Sequence, residues 1–357
     1  MPHCLIIACS WLVACYCGFS DCHGEWSAPP AERAVKLAAT NEDTVYVSVG
    51  DSADTLSYRG EIVSYVGGKL VLRLANGTER TFASNDRVLR IDTQHTSEYR
   101  EALALYESGE FDKALQGFGN AFELESRTWV QRLILERVIY CRQNLGQLDV
   151  AGQRFLQLVS SDPNTPYFSS IPLAWVSDPP SAPLERQAMS WLNSPQPIAR
   201  LLGASHLLST RRAEAEQALS DLRFDADQRV AALARMQLWR TDLHRVNEDM
   251  IDRWVQEMER FPHSLLAGGY FLIGSANAEI NRAEDAALKL MRVPIHYPQQ
   301  RRLGARCLIE AARQLEALGQ TAGATRLYNE LLDEFAAFPE SQEAKERLDE
   351  IGGGDAP

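Results

Sequence analysis

Basic residues are scarce in this chain. It has 36 lysines and arginines against 48 aspartates and glutamates, for a formal net charge of −12. Such an excess of negative charge repels a phosphate backbone and excludes general nucleic-acid binding unless a local basic patch offsets it. Arg211-Arg212 and Arg301-Arg302 are isolated pairs, of the kind a solvated helix face carries, and make no such patch. Cysteine is nearly missing beyond the first 22 residues: Cys4, Cys9, Cys15, Cys17 and Cys22 precede that point, and Cys141 and Cys307 follow it. A disulfide framework is thereby excluded, and so is a zinc site built on paired cysteines. The sequence also lacks a G-x-x-x-x-G-K-[ST] phosphate loop, H-E-x-x-H, G-x-S-x-G and C-x-x-C. No two of its histidines (His3, His23, His95, His206, His244, His263 and His296) stand three or four residues apart, so no helical metal pair forms. Ser205 and His206 are adjacent and therefore point apart on a helix. Asp225 and Asp227 flank an interhelix turn and read as caps. No catalytic residue and no cofactor is expected.

The longest apolar stretch is residues 4–19, CLIIACSWLVACYCGF. It is too short for the roughly 20 residues of a membrane-spanning helix and has the length of an export signal. Met1-Pro2-His3 lacks the Lys or Arg that usually opens such a signal. A plain cleaved signal and a different start site therefore stay open. Leu12-Val13-Ala14-Cys15 resembles a bacterial lipoprotein box. The resemblance implies a sorting segment over 1–28, lipidation of Cys15 as the first mature residue, a membrane tether through that segment, and a periplasmic or membrane-associated location.

Over residues 43–92 the pattern alternates with a period of two and is rich in β-branched residues, beginning with Thr44-Val45-Tyr46-Val47-Ser48-Val49. Runs at 59–65, 69–74, 78–82 and 87–91 follow, joined by Gly67-Gly68 and by Asn76-Gly77, a strong hairpin signal. Five short strands in about 50 residues suggest a small barrel, because an open sheet of this size leaves long unpaired edges. The layout G-x-I…L-x-L…N-G…V-x-x-I is similar to SH3-like or Sm-like barrels. Its acids and bases are nearly balanced, which fits a protein-binding or capping module.

From residue 97 the period becomes helical. Gly109, Phe111, Ala114, Phe118 and Ala121 recur as Gly146, Leu148, Ala151, Phe155 and Leu158, with Ala102 and Leu105 on the preceding helix. Ala286, Leu290 and Val293, preceded by Gly274, form a third copy. Ala312, Gly319, Ala324, Tyr328 and Leu331 form a fourth. Small residues let two antiparallel helices approach, and the large ones fill the groove between them. The pattern resembles the tetratricopeptide repeat, and the last copy is similar to repeats of bacterial envelope-assembly proteins. Residues 97–165 and 263–350 are assigned to such repeats. Residues 166–184 form a Pro-rich irregular linker that packs Trp175 on a helix groove. Residues 185–260 form helical hairpins with a loose HEAT-like pattern, in which Trp191, Trp239 and Trp254 are core. Residues 351–357 form a disordered tail.

The expected fold is α+β: a small five-stranded β domain followed by an all-α solenoid of helical hairpins. Hairpins cannot bury their apolar faces alone, so they stack and leave an extended groove. The expectation is a non-catalytic scaffold that binds a protein or peptide at the cell envelope, with Tyr99, Tyr106 and Arg132 as groove positions. The alternative is an enzyme or carbohydrate-binding protein that uses the groove or the β-domain face.

Overall fold

The computed structural model describes residues 42–48, 55–83 and 88–353. The expected sorting segment with Cys15, and residues 354–357 of the expected tail, lie outside the described residues. The fold is α+β, with five antiparallel strands followed by a mostly helical remainder.

The strands are β1 (Asp43–Ser48), β2 (Thr55–Val66), β3 (Lys69–Arg73), β4 (Glu79–Ala83) and β5 (Val88–Asp92). They pair in the order β4-β3-β2-β1-β5. β2 is long enough to serve two neighbours. Its first half pairs with β1 (Val45↔Tyr58) and its second half with β3 (Tyr65↔Leu70). A register shift between Ile62 and Ser64 bends it, as a bulge does. At the crossing, a Cβ on Gly60 would lie 2.2 Å from the Arg73 carbonyl oxygen, so only glycine fits there. No ladder joins β4 to β5 among the described residues, which leaves them as the outer strands of the sheet. One face of the sheet docks on the helices. Val45, Val47, Ile62, Leu70 and Leu72 are buried in one cluster with Tyr99, Phe118 and Trp129 of the helices that follow.

Those helices are α1 (Ser97–Glu107), α2 (Phe111–Leu124), α3 (Thr128–Asn144), α4 (Leu148–Ser161), α5 (Ala182–Leu192), α6 (Pro197–Leu207), α7 (Arg212–Leu222), α8 (Gln228–Asp242), α9 (Glu248–Met258), α10 (Ala267–Glu279), α11 (Ala283–His296), α12 (Arg301–Ala317), α13 (Thr321–Glu334) and α14 (Pro339–Gly353). The recurring pattern of the sequence is the packing seam of four hairpins. Ala114, Ala151, Ala286 and Ala324 are completely buried where their helices cross a partner, and Phe118, Phe155, Leu290 and Tyr328 fill the groove one turn later. The turns are alike as well. Gly109, Gly146 and Gly319 take φ of +81°, +73° and +71°. In each, the next residue's N–H reaches back to a carbonyl of the last turn, for example Glu110 N to Leu105 O at 2.9 Å. This is the Schellman arrangement, which needs a residue that tolerates the left-handed region. In the third hairpin that residue is Asn281, at φ 60°. Gly274, expected to mark that copy, lies inside α10, where it lets Leu290 pack directly on the backbone.

The array returns on itself. α12 packs against α3. The Phe111 ring lies 5.7 Å from that of Phe338, and Gln300 Nε2 donates to Ser169 O at 2.8 Å. The last hairpins thus cover the first ones. Pro339–Gly353 is helical, so the expected tail begins later than residue 351. Trp191, Trp239 and Trp254 are buried, the last two stacked at 5.1 Å.

A buried polar joint fixes the sheet to the helices. Asp43, 2% exposed, accepts from Ile62 N at 2.7 Å and from Thr93 Oγ1 at 2.5 Å. Arg127 donates to Thr93 Oγ1 and grips Glu125 through Nε and Nη2. A second joint lies nearby. The Gly67 N–H at the β2–β3 turn donates to the Asp162 carboxylate at the end of α4.

Candidate functional site

The segment read as a linker is part of the interior. Residues 168–170 form one 3-10 turn. Residues 171–176 (Ile-Pro-Leu-Ala-Trp-Val) then run as a strap across α6, α8 and α10. Ile171 and Leu173 are buried. The strap turns tightly at Pro172, where Leu173 N donates back to Ile171 O at 3.0 Å, and side chains of the helices read the carbonyls of its alternate residues 172, 174 and 176. Pro172 O accepts from His206 Nε2 at 2.8 Å, Ala174 O accepts from Gln237 Nε2 at 3.0 Å, and Val176 O accepts from Arg240 Nη2 at 2.7 Å. The Ala174 N–H donates to Ser205 Oγ at 2.9 Å. The Trp175 ring lies on Gly268, where a Cβ would come within 2.2 Å of it.

The reading groups are themselves buried: Ser205 and Gln237 fully, His206 to 3% exposure and Arg240 to 7%. Burial holds His206 down at about 4, so it is neutral. A carbonyl can only accept, so Nε2 carries the proton. Arg240 makes no salt bridge among the described residues. Its Nη1 donates to Ser205 O and Gln237 Oε1, and burial lowers it to about 10, still charged near neutrality. Adjacency kept Ser205 and His206 from forming a nucleophile–base pair, as expected. Instead both address the strap.

Beside the strap is a cavity of about 260 Å³. Leu173, Trp175 and Val176 form one wall, Gln143 and Gly146 at the end of α3 another, and Arg302, Leu303 and Arg306 of α12 a third. Asp178 and Glu340 also line it, so its charges balance. Its volume falls below the roughly 300–1,000 Å³ of small-molecule sites. One or two side chains of a partner would fill it. Arg306 pairs with Glu310 at 2.9 Å, yet its buried Nε has no hydrogen-bond partner.

The residues proposed for the groove lie elsewhere. Tyr99 and Tyr106 are 4% and 5% exposed. Tyr99 packs on His95 and Phe118, and Tyr106 packs on Phe111 and meets Asn144 Nδ2 at 3.5 Å. Because α2 and α3 cover them, they are core. Arg132 bridges Tyr65 O and Ser161 and thereby ties β2 to α4. All three gather around α3, but none lines the cavity or the strap. The residues that sequence reasoning missed, Gln237 and Arg240, carried one legible signal: two long polar side chains at i, i+3 inside an otherwise apolar stripe of α8.

Burial pushes the Cys141 thiol up to about 12 and the Cys307 thiol well above its ordinary value, which suppresses both thiolates. Among the described residues no group of three or more His, Cys, Asp or Glu could hold a metal ion. No helix of the described residues is long and apolar enough to cross a membrane. Asp227 does cap α8, accepting from Arg229 N at 2.9 Å.

No protein-family model matches the chain, and no curated protein matches it. Among solved structures, the chain is similar to the TPR2AB-domain–pHSP90 complex of yeast Sti1, at 15% identity and a TM-score of 0.27, over 70% of this chain and 93% of that one. At that TM-score the superposition carries no argument about family or ligand.

Proposed function

We propose that the chain is a non-catalytic scaffold whose helical array holds an extended segment of a partner protein or peptide. The observation that carries this reading is the strap: side chains of α6 and α8 already read the main chain of a non-helical segment. The adjoining cavity supports it, since it is sized for partner side chains and is walled by the first, middle and last parts of the array. The same proposal places the protein at the cell envelope, exported and tethered through Cys15.

The test is affinity capture of the tagged full-length protein from cross-linked cells, alongside Arg302→Glu in the cavity and Leu288→Ser on the exposed face of α11. A reproducible partner that is lost from the first variant and kept by the second is the expected result. A partner set identical for both, or no partner from a folded protein, refutes the reading. For the tether, Cys15→Ser should move the protein to the soluble fraction. An unchanged membrane fraction removes Cys15 as the anchor.

A further inference from the structure

We infer that the groove formed by α6, α8 and α10 is a peptide-reading site occupied in cis by residues 171–176. Its trans ligand is a partner chain presenting an extended, uncharged segment with proline, a small residue and tryptophan at the strap's own spacing. The inference rests on the scaffold reading and names the groove and the chemistry of the occupant.

The argument starts from what an empty groove would cost. His206, Ser205, Gln237 and Arg240 are buried, and their hydrogen-bond partners are strap main-chain atoms, one another and the Ser205 carbonyl. A buried polar group left unpaired is destabilising, so four of them make an apolar filler untenable. The groove accepts an extended main chain and little else. The strap also meets it as a ligand meets a site. None of its contacts with these helices is a sheet ladder, and one of its edges is read by side chains. Its single large aromatic sits in a notch that Gly268 leaves open.

The side chains that a ligand must carry follow from the same contacts. The residue at the Trp175 position is a flat ring, because it lies directly on Gly268, where a Cβ would already come within 2.2 Å of it. The residue at the Ala174 position needs a free N–H for Ser205 Oγ and a small side chain. The residue at the Pro172 position gives only a carbonyl, so proline loses nothing there. An acidic side chain buried at the Ile171 or Leu173 position would face apolar core. The strap can leave without unwinding a helix. It lies between a 3-10 turn and the start of α5, and residues 177–179 beyond it are exposed.

The test uses a fluorescein-labelled peptide with the sequence of residues 169–177 and full-length protein in which residues 171–176 are replaced by an alternating Gly-Ser segment of equal length. Anisotropy should report saturable binding to the replaced protein. Binding to the wild type should be at least about tenfold weaker, because a tethered strap competes at an effective concentration in the millimolar range. Arg240→Met in the replaced protein should weaken binding about tenfold or more, the loss expected for a hydrogen bond from a charged donor. A proline at the peptide's Ala174 position, which removes the N–H, should abolish binding. If the replaced protein does not fold, Trp175→Ala in the intact chain serves instead, since it loosens the strap while keeping its main chain. A folded Trp175→Ala or replaced protein that ignores the peptide, or binds a scrambled one equally, overturns the inference. The two readings fail separately: partner capture that succeeds with a partner lacking such a segment removes this groove assignment and leaves the scaffold, whereas no partner from a folded protein removes the scaffold.

Discussion

Arg127→Met is the perturbation with the clearest predicted magnitude. The guanidinium is 21% exposed and stands between Glu125 at 6% and Asp43 at 2%, 2.8 Å from the first and 3.8 Å from the second. It also donates to Thr93 Oγ1 and to Gln94 O, both at 2.7 Å. Methionine keeps most of the aliphatic volume and removes the cation, leaving two buried carboxylates uncompensated. Breaking one partner out of a buried ion pair costs roughly 3–5 kcal/mol. The lower end applies here, because Asp43 keeps Ile62 N and Glu125 keeps the backbone N–H of residue 127. A loss of about 3 kcal/mol lowers the melting temperature by roughly 4 °C for a chain of this size. Urea titration followed by far-UV circular dichroism gives the free energy. Hydrogen exchange at the Ile62 amide shows whether the sheet loosens first. Adding Glu125→Gln should recover a large part of the loss, because it removes one of the stranded charges. If Arg127→Met stays within about 1 kcal/mol of wild type, the joint between sheet and helices is not electrostatic and this reasoning is wrong.

Acid should unfold the protein partly through His206. Its folded value of about 4 lies below the ordinary 6.5, so the unfolded chain binds the extra proton. The resulting stability, about 3 kcal/mol, is complete above pH 6.5 and is lost as pH falls toward 4. Urea midpoints across that range should show the slope, and it should flatten in His206→Gln. Gly203→Ala should destabilise by about 1–3 kcal/mol or more, because a Cβ there would lie 2.4 Å from Leu192 N and 2.6 Å from Ala188 O, where the backbone cannot yield. Thermal melts that show no change would mean that α5 and α6 separate easily. Gly146→Ala should cost about 1–2 kcal/mol for a left-handed turn, whereas Asn281→Gly should be neutral or stabilising; the opposite ordering in chemical denaturation would refute the turn assignment.

Much of the fold was legible because it is local. The strands, the Gly67-Gly68 and Asn76-Gly77 turns, and the alanine-to-aromatic spacing of the hairpins depend on residues close in sequence. The third hairpin was read less well because asparagine takes the place of the turn glycine. Gly274, which attracted notice, is a packing glycine. Of the site, only the packing of Trp175 on a helix groove was legible. Proline density at 162–183 signals irregular backbone but not that its carbonyls are held by His206, Gln237 and Arg240, which lie 34, 63 and 64 positions away from them. Tyr99 and Tyr106 looked like groove residues on the premise of an open superhelix. That premise failed because α2 and α3 cover both rings, through Phe118, Phe111 and Asn144. The tryptophans were assigned correctly because helical spacing in an apolar stripe is a statement about burial.

That meeting of the two ends bears on how the protein comes into being. An open repeat array gains stability by nearest-neighbour increments, can start ordering at any repeat, and tolerates losing one from its end. Here the first hairpins have part of their cover only after the last ones have been synthesised, so the chain must hold unfinished apolar faces while the ribosome completes α12 to α14. Contacts between such distant segments slow folding. A premature stop within the last two hairpins would strip the beginning of the array as well as its end. Such a product would be a substrate for proteolysis, not a shortened scaffold.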